Sequence, residues 1–289
     1  MPLTSNQRTY LKQLEGSLQK MEDKRTSFKG MIYGDSGVGK TVFAMQLAQR
    51  ITPNDRGILY LDSAEGWVSL DNHKHLKART TYAKFSVLET FEALGAAISS
   101  KEAPWDHIGT IVLDEFSSMA IDDLDSVVQN RSTFQANKDP DTPAQPDYNT
   151  NTNRVRKYLG DLIGLPEVNL ILTSHLRKDQ DGAKRETISP AFLPKLNAHI
   201  RGMLHIVAYM TAEEFTAEDK TAKYARTLQV HPTSRIVAKS RIGGLNPIVT
   251  TKELGVGVEK WLAYEAPTVP EQTVIQVPAI EATIMEEGE

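Results

Sequence analysis

Short apolar runs alternate along this chain with longer stretches that are apolar at every third or fourth position. The first pattern marks buried strands and the second amphipathic helices. Residues 28–34 (FKGMIYG), 57–62 (GILYLD), 110–115 (TIVLDE), 169–175 (NLILTSH), 205–210 (HIVAYM) and 226–231 (RTLQVH) read as strands. Residues 41–51 (TVFAMQLAQRI, stopping before Pro53), 86–100, a segment beginning near Ser117, and 154–163 read as helices. Strands alternating with helices argue for an α/β fold with a mostly parallel, doubly wound sheet. Ahead of it, residues 5–25 put Tyr10, Leu11, Leu14, Leu18 and Met21 on one helical face. That face either packs on its own domain or docks on a neighbouring subunit. From Ser132 to Asn153 the composition turns to Asn, Asp, Thr and Pro, which reads as a long loop.

Charge separates one more segment. The 289 residues carry a net charge of -4, but residues 265–289 hold six glutamates and no Lys or Arg, leaving residues 1–264 at +2. That tail, with three prolines and no aromatic residue, buries too little to offset its ordering entropy and reads as disordered. The chain therefore divides into a helical arm (1–27), a core (28–264) and an acidic tail (265–289). There is no Cys, which excludes disulfide scaffolds, thiolate metal sites and Cys nucleophiles. A reducing, cytoplasmic setting is expected. The N-terminal MPLTSNQRTYLKQLEG has no apolar core of a signal peptide, and no apolar run approaches a membrane span.

Between the first strand and the first helix stand Gly34, Asp35, Ser36, Gly37, Val38, Gly39, Lys40 and Thr41, a G-x-x-x-x-G-K-[ST] P-loop in its confirming context. Glycines let successive backbone N–H groups turn onto phosphates, and the helix N-terminus adds its positive end. Lys40 is placed to reach the β/γ-phosphates of ATP, and the Thr41 hydroxyl to hold Mg²⁺. A second metal carboxylate is expected at the end of an apolar strand, where Ile111-Val112-Leu113-Asp114 supplies Asp114, the Walker B pattern. Hydrolysis also needs a carboxylate to orient water. Glu115 follows Asp114 directly, and Glu65 lies just past the second strand; both stay open.

Taken together, the P-loop, the strand followed by Asp62-x-x-Glu65, Asp114, and the strand ending Thr173-Ser174-His175 resemble the RecA/RadA core. Lys239-Ser240-Arg241-Ile242-Gly243 is similar to the Lys-Asn-Arg-Phe-Gly motif of RadA. The ensemble, over roughly residues 28–250, most resembles the phage Sak-type ATPases of single-strand annealing and recombination. The resemblance implies a RecA-like P-loop NTPase fold and Mg²⁺-dependent ATP hydrolysis stimulated by single-stranded DNA. It further implies a homo-oligomeric ring or filament, a single-strand binding or annealing protein as a further partner, and the host cytoplasm for a phage-encoded chain. It gives Glu65 the water, although the family commonly shows Asp-x-Glu. It makes Ser174 or His175 the sensor of the γ-phosphate, and Lys239 and Arg241 a pair acting across a subunit interface.

In such proteins the loop after the sensor strand lines the DNA channel. Here residues 176–201 hold Arg177, Lys178, Lys184, Arg185, Lys195 and Arg201 against three acids, with Phe192 as a candidate base-stacking ring and Gly182 and two prolines suggesting mobility. The earlier loop offers Phe134 and Tyr148. A small-molecule kinase, a DnaB-like or packaging motor, and a nucleotide-switched interaction protein are the alternatives on sequence grounds.

Overall fold

The computed structural model describes residues 27–85, 87–132, 142–180, 184–216, 222–241 and 248–251, together with residues 8, 9 and 12. In chain order the elements are β1 (Lys29–Gly34), α1 (Lys40–Ile51), β2 (Gly57–Asp62), β3 (Thr80–Lys84), α2 (Thr90–Ser99), β4 (Ile108–Asp114), α3 (Phe116–Ser132), α4 (Gln145–Ile163) and β5 (Asn169–Gln180). They continue with β6 (Glu186–Pro190), α5 (Pro194–Met203), β7 (Ile206–Thr216), β8 (Ala222–Gln229), β9 (Lys239–Ser240) and β10 (Ile248–Thr251).

Every residue of β1, β2 and β4 is buried, so both faces of the sheet must be covered. The side chains alternate accordingly. Met31, Tyr33, Leu59, Leu61, Ile111, Leu113, Leu170 and Leu172 pack into one core with the apolar faces of α2, α3, α4 and α5. Ile32, Ile58, Tyr60, Val112 and Ile171 point the other way, into a second core with Phe43, Met45 and Leu47 of α1. The strand order is β10-β8-β7-β1-β5-β4-β2-β3, with β6 on β5 and β9 on β7. The strands β3, β2, β4, β5, β1 and β7 run parallel, while β8 and β10 extend the sheet antiparallel. This is an α/β fold built on a mostly parallel sheet, as the alternation of strands and helices predicts. Ligands of such sheets bind beyond the carboxyl ends of the strands. Register brings the relevant residues there: Gly34 lies beside His175, and Asp62 beside Asp114.

Two expectations are corrected. Residues 132–153 do not form one loop, because α4 begins at Gln145. Its polar first turns are stabilised from within the protein. Asp147 accepts from the Ala144 N–H at 2.6 Å, and Asn151 donates to the Ala120 carbonyl and to Asp123, both at 2.9 Å. Arg154 clamps the same buried Asp123. Asp123→Ala removes a buried acceptor shared by both partners and is expected to lower unfolding free energy by about 2 kcal/mol, read from a denaturant midpoint. Residues 176–180 and 184–201 are likewise not a mobile loop, and Gly182 lies outside the described residues. Strand β5 runs on to Gln180 and pairs with β6 as an antiparallel arm, followed by α5. Phe192 is buried against Phe116, their ring centroids 5.8 Å apart, so it is a core residue and not a base-stacking one. Tyr148 sits half-buried on α4, and Phe134 lies outside the described residues. So do the acidic tail and most of the helical arm, of which Arg8, Thr9 and Lys12 are helical.

Buried Lys29 ties β1 to the turn before β5, donating to the Leu165 and Val168 carbonyls at 2.9 and 2.5 Å. Burial pushes its ammonium from the ordinary 10.5 down to about 8. The unfolded chain therefore holds this proton more tightly than the folded one. This group's contribution to stability rises with pH from about 8 to 10.5. Lys29→Met is expected to flatten that rise in thermal melts over the same pH range.

Candidate functional site

The P-loop turn departs β1 and enters α1 through two left-handed glycines, Gly37 at φ 78° and Gly39 at φ 96°, a conformation that costs other residues strain. No side chain caps the N-terminus of α1, so its first N–H groups are left for a ligand. Lys40 is largely buried and donates to the Gly34 and Asp35 carbonyls at 3.2 and 2.9 Å, inside its own loop. Burial lowers its pKa, opposed by the carboxylates of Glu115, Asp114 and Asp35.

Thr41 and Asp114, 73 residues apart in sequence, meet at 2.7 Å. The buried Asp114 carboxylate also accepts from the Tyr60 hydroxyl at 2.6 Å and from Thr173. Burial, and then Asp114, push the Tyr60 phenol up, so it stays a donor. Gly66 comes so close that a Cβ there would stand 2.4 Å from Asp114 Oδ2. The turn bearing Gly66 is fixed by buried Asp62, which accepts from the N–H groups of Ala64, Gly66 and Trp67 at 3.0–3.1 Å. Asp62 is thus a turn-former.

The two candidate water-positioning acids part company. Glu115 is 6% exposed and lines the cleft. It accepts from the His175 backbone N–H at 2.8 Å and from the Ser117 hydroxyl, with the His175 ring 3.5 Å away. Glu65 turns outward, its side chain 72% exposed and 3.9 Å from Lys84. The two sensor candidates part as well. His175 presents its ring to the cleft, whereas buried Ser174 donates to the His175 carbonyl and accepts from the Ala191 N–H, which ties the β5–β6 arm to the segment before α5.

The cleft has a volume of about 420 Å³. It gathers Ser36, Gly37, Gly39, Lys40 and Thr41 with Asp114, Glu115 and His175. It also holds Arg226 of β8, whose guanidinium donates to the Val38 carbonyl at 3.1 Å. Sequence reasoning missed Arg226, Tyr60 and Ser117. Tyr60 and Ser117 lie within three residues of Asp62 and Asp114, so their proximity was a signal; Arg226 carried none.

Lys239 and Arg241 are not in the cleft. They sit where β7 begins, at the opposite end of the sheet from the P-loop. Lys239 donates to the carbonyls of Leu204 (2.7 Å) and Arg201, and Arg241 to that of Gly202 (2.7 Å), neutralising the C-terminus of α5. Burial lowers the Lys239 pKa, reinforced by Arg241 and Arg201. The six basic residues of 176–201 do not form one group either. Lys178, Lys184 and Arg185 are exposed on the β5–β6 arm, where Arg177 is paired with Asp179 at 2.8 Å. Lys195 is on the first turn of α5, and Arg201 lies beside Lys239 at its far end.

The geometry can cradle a polyphosphate, offer oxygen donors to a hard cation, and present one carboxylate and one imidazole to the same cleft. The donor set of Thr41 hydroxyl and Asp114 carboxylate suits Mg²⁺, whose remaining positions water and phosphate fill. Among the described residues no cluster of three or more His, Asp or Glu offers a self-sufficient metal site. No described helix is long and apolar enough to cross a membrane.

The sequence model of the AAA domain family matches residues 26–242. No curated protein matches the chain. Among solved structures, the chain is similar to a DnaB-like replicative helicase described with its primase interactions, at 13% identity and a TM-score of 0.45. The match covers 88% of this chain and 66% of the helicase chain, just under two thirds of its length. It is also similar to the flagellar accessory protein FlaH from Methanocaldococcus jannaschii, at 13% identity and a TM-score of 0.38, covering 78% of this chain and 86% of that one.

Proposed function

The chain belongs to the AAA domain family, and we propose from that premise that it is a Mg²⁺-dependent ATP hydrolase acting on single-stranded DNA in recombination or annealing, assembled as a ring or filament. The observation that carries the reading is the meeting of Thr41 and Asp114 beneath the P-loop. Two oxygen donors brought together from distant parts of the sequence, beside Lys40 and an uncapped helix N-terminus, suit a nucleotide triphosphate with its metal. Mg²⁺ bound there would neutralise charge on the β- and γ-phosphate oxygens. On this reading Lys40 leaves its loop carbonyls for the phosphates, Glu115 orients the attacking water, and His175 meets the γ-phosphate. The placement of Glu115 inside the cleft and of Glu65 outside it supports that choice.

Any nucleotide that Lys239 and Arg241 serve is a neighbour's, given their distance from their own P-loop. That fits subunit assembly, and it requires them to release the α5 carbonyls. The DNA contact is assigned to Lys178, Lys184 and Arg185, because their arm is the direct continuation of the strand that carries His175.

Phosphate release measured with and without Mg²⁺, and with and without a single-stranded oligonucleotide, tests this function. Turnover should require Mg²⁺ and rise several-fold with the oligonucleotide. Turnover indifferent to DNA would overturn the DNA part, and phosphoryl transfer to a small acceptor would replace the hydrolase reading with a kinase.

A further inference from the structure

Of the large apolar side chains exposed among the described residues, Trp67, Val68, Tyr82 and Val87 come from one short stretch, and only Ile121 lies elsewhere. Rings left in water in a cluster mark an interaction surface. Trp67 is on the 3₁₀ turn Gly66–Leu70 and Tyr82 is on β3, the edge strand of the sheet. Their ring centroids are 6.4 Å apart, at an interplanar angle of 66°. The ledge is braced from below: Tyr82 stacks on Tyr60 at 6.1 Å, and Tyr60 is pinned by its hydroxyl to Asp114.

Cations frame the rings. Residues 66–84 contain Lys74, Lys77, Arg79 and Lys84 against the single acid Asp71. The Lys77 ammonium lies 5.9 Å over the Trp67 ring and is paired with Asp71 at 2.7 Å. Lys84 stands beside Tyr82 along the strand, 3.9 Å from Glu65. Both pairs are solvent-exposed, so a phosphate competes for these ammonium groups at little cost. Arg79 is committed to the Pro53 carbonyl at 2.8 Å and takes no part. Exposed rings with flanking ammonium groups have the chemistry of a stacking surface for unpaired bases, each stacked base being held by its π-face and its phosphate by a cation. The ledge adjoins the nucleotide cleft without belonging to it, since Gly66 and Ser69 line the cleft but Trp67 and Tyr82 do not.

We propose that Trp67 and Tyr82 form a base-stacking platform for single-stranded nucleic acid, with Lys77 and Lys84 taking the adjacent phosphates. This rests on the single-strand partner proposed above and adds a contact surface separate from the β5–β6 arm.

Binding of a fluorescent oligothymidylate to the full chain tests it, alongside binding of a fluorescent ATP analogue. Trp67→Ala and Tyr82→Ala are each expected to weaken oligonucleotide binding about tenfold, with Trp67→Phe close to the parent and ATP-analogue binding unchanged. Wild-type affinity in both alanine variants, with loss in Lys184→Ala/Arg185→Ala, would overturn the platform and leave the single-strand reading standing. Loss of ATP-analogue binding with oligonucleotide binding intact would show that the rings serve the base of ATP instead. An unsubstituted chain that binds no oligonucleotide would overturn both proposals together.

Discussion

Lys40→Ala is expected to abolish ATP turnover and weaken ATP binding by roughly ten- to a hundredfold. The magnitude follows from losing charge-assisted contacts to phosphate, about 1.5–3 kcal/mol in net stabilisation. Turnover falls further than binding because the terminal phosphates carry the charge that develops in the transition state. The fold should survive. Lys40 gives up only bonds to the Gly34 and Asp35 carbonyls, and its pKa is already lowered by burial, so alanine relieves a desolvated charge. Equilibrium titration with an ATP analogue, together with steady-state phosphate release, measures both effects. Ordinary turnover in this variant would remove the ATPase reading altogether.

The second large effect separates two carboxylates. Glu115→Gln should slow hydrolysis about a hundredfold or more while ATP binds normally. Glutamine keeps an oxygen to accept from the His175 N–H and the Ser117 hydroxyl, so the cleft keeps its shape and loses only the negative charge offered to water. Glu65→Gln should leave turnover near the parent, because that side chain is 72% exposed and directed at Lys84. Single-turnover kinetics on both variants decide between them, and the reverse pattern would return the water to Glu65.

Several elements were legible because one physical requirement dominated each. Strands β1, β2, β4 and the first half of β5 are buried on both faces, so they appear in the sequence as unbroken apolar runs. The P-loop was legible because a phosphate cradle needs glycine at the positions of positive φ. The start of α4 was not. Its turns are written in Asn, Thr, Asp and Pro, residues that favour loops unless a distant partner such as Asp123 takes up their polar groups. Strand β3 is exposed along most of its length and lacks the apolar signature of its neighbours. At the site, spacing brought Glu65 and Glu115 equally into view. What separates them is the turn held by Asp62, a tertiary arrangement that swings Glu65 outward. Phe192 and the basic residues around it illustrate the same limit. Sequence reports that a ring and several cations share a segment, whereas the hairpin and helix made from that segment send the ring into the core and the cations to opposite ends of the sheet.

The placement of β1 has a consequence for how this chain emerges from the ribosome. Strands β1 and β2 are successive in sequence, yet β5 and β4 stand between them in the sheet, and both hydrogen-bonded neighbours of β1 arrive late, β5 at Asn169 and β7 at Ile206. During synthesis the apolar strand that carries the P-loop therefore waits unpaired while nearly half of the chain is added, on the order of ten seconds at ordinary elongation rates. No nascent chain ending before Asn169 can complete the nucleotide cleft, since His175 and the strand that aligns it are still missing. The phosphate-binding turn is among the first parts translated and among the last to become competent, and through that interval its strand stands without either of its sheet neighbours.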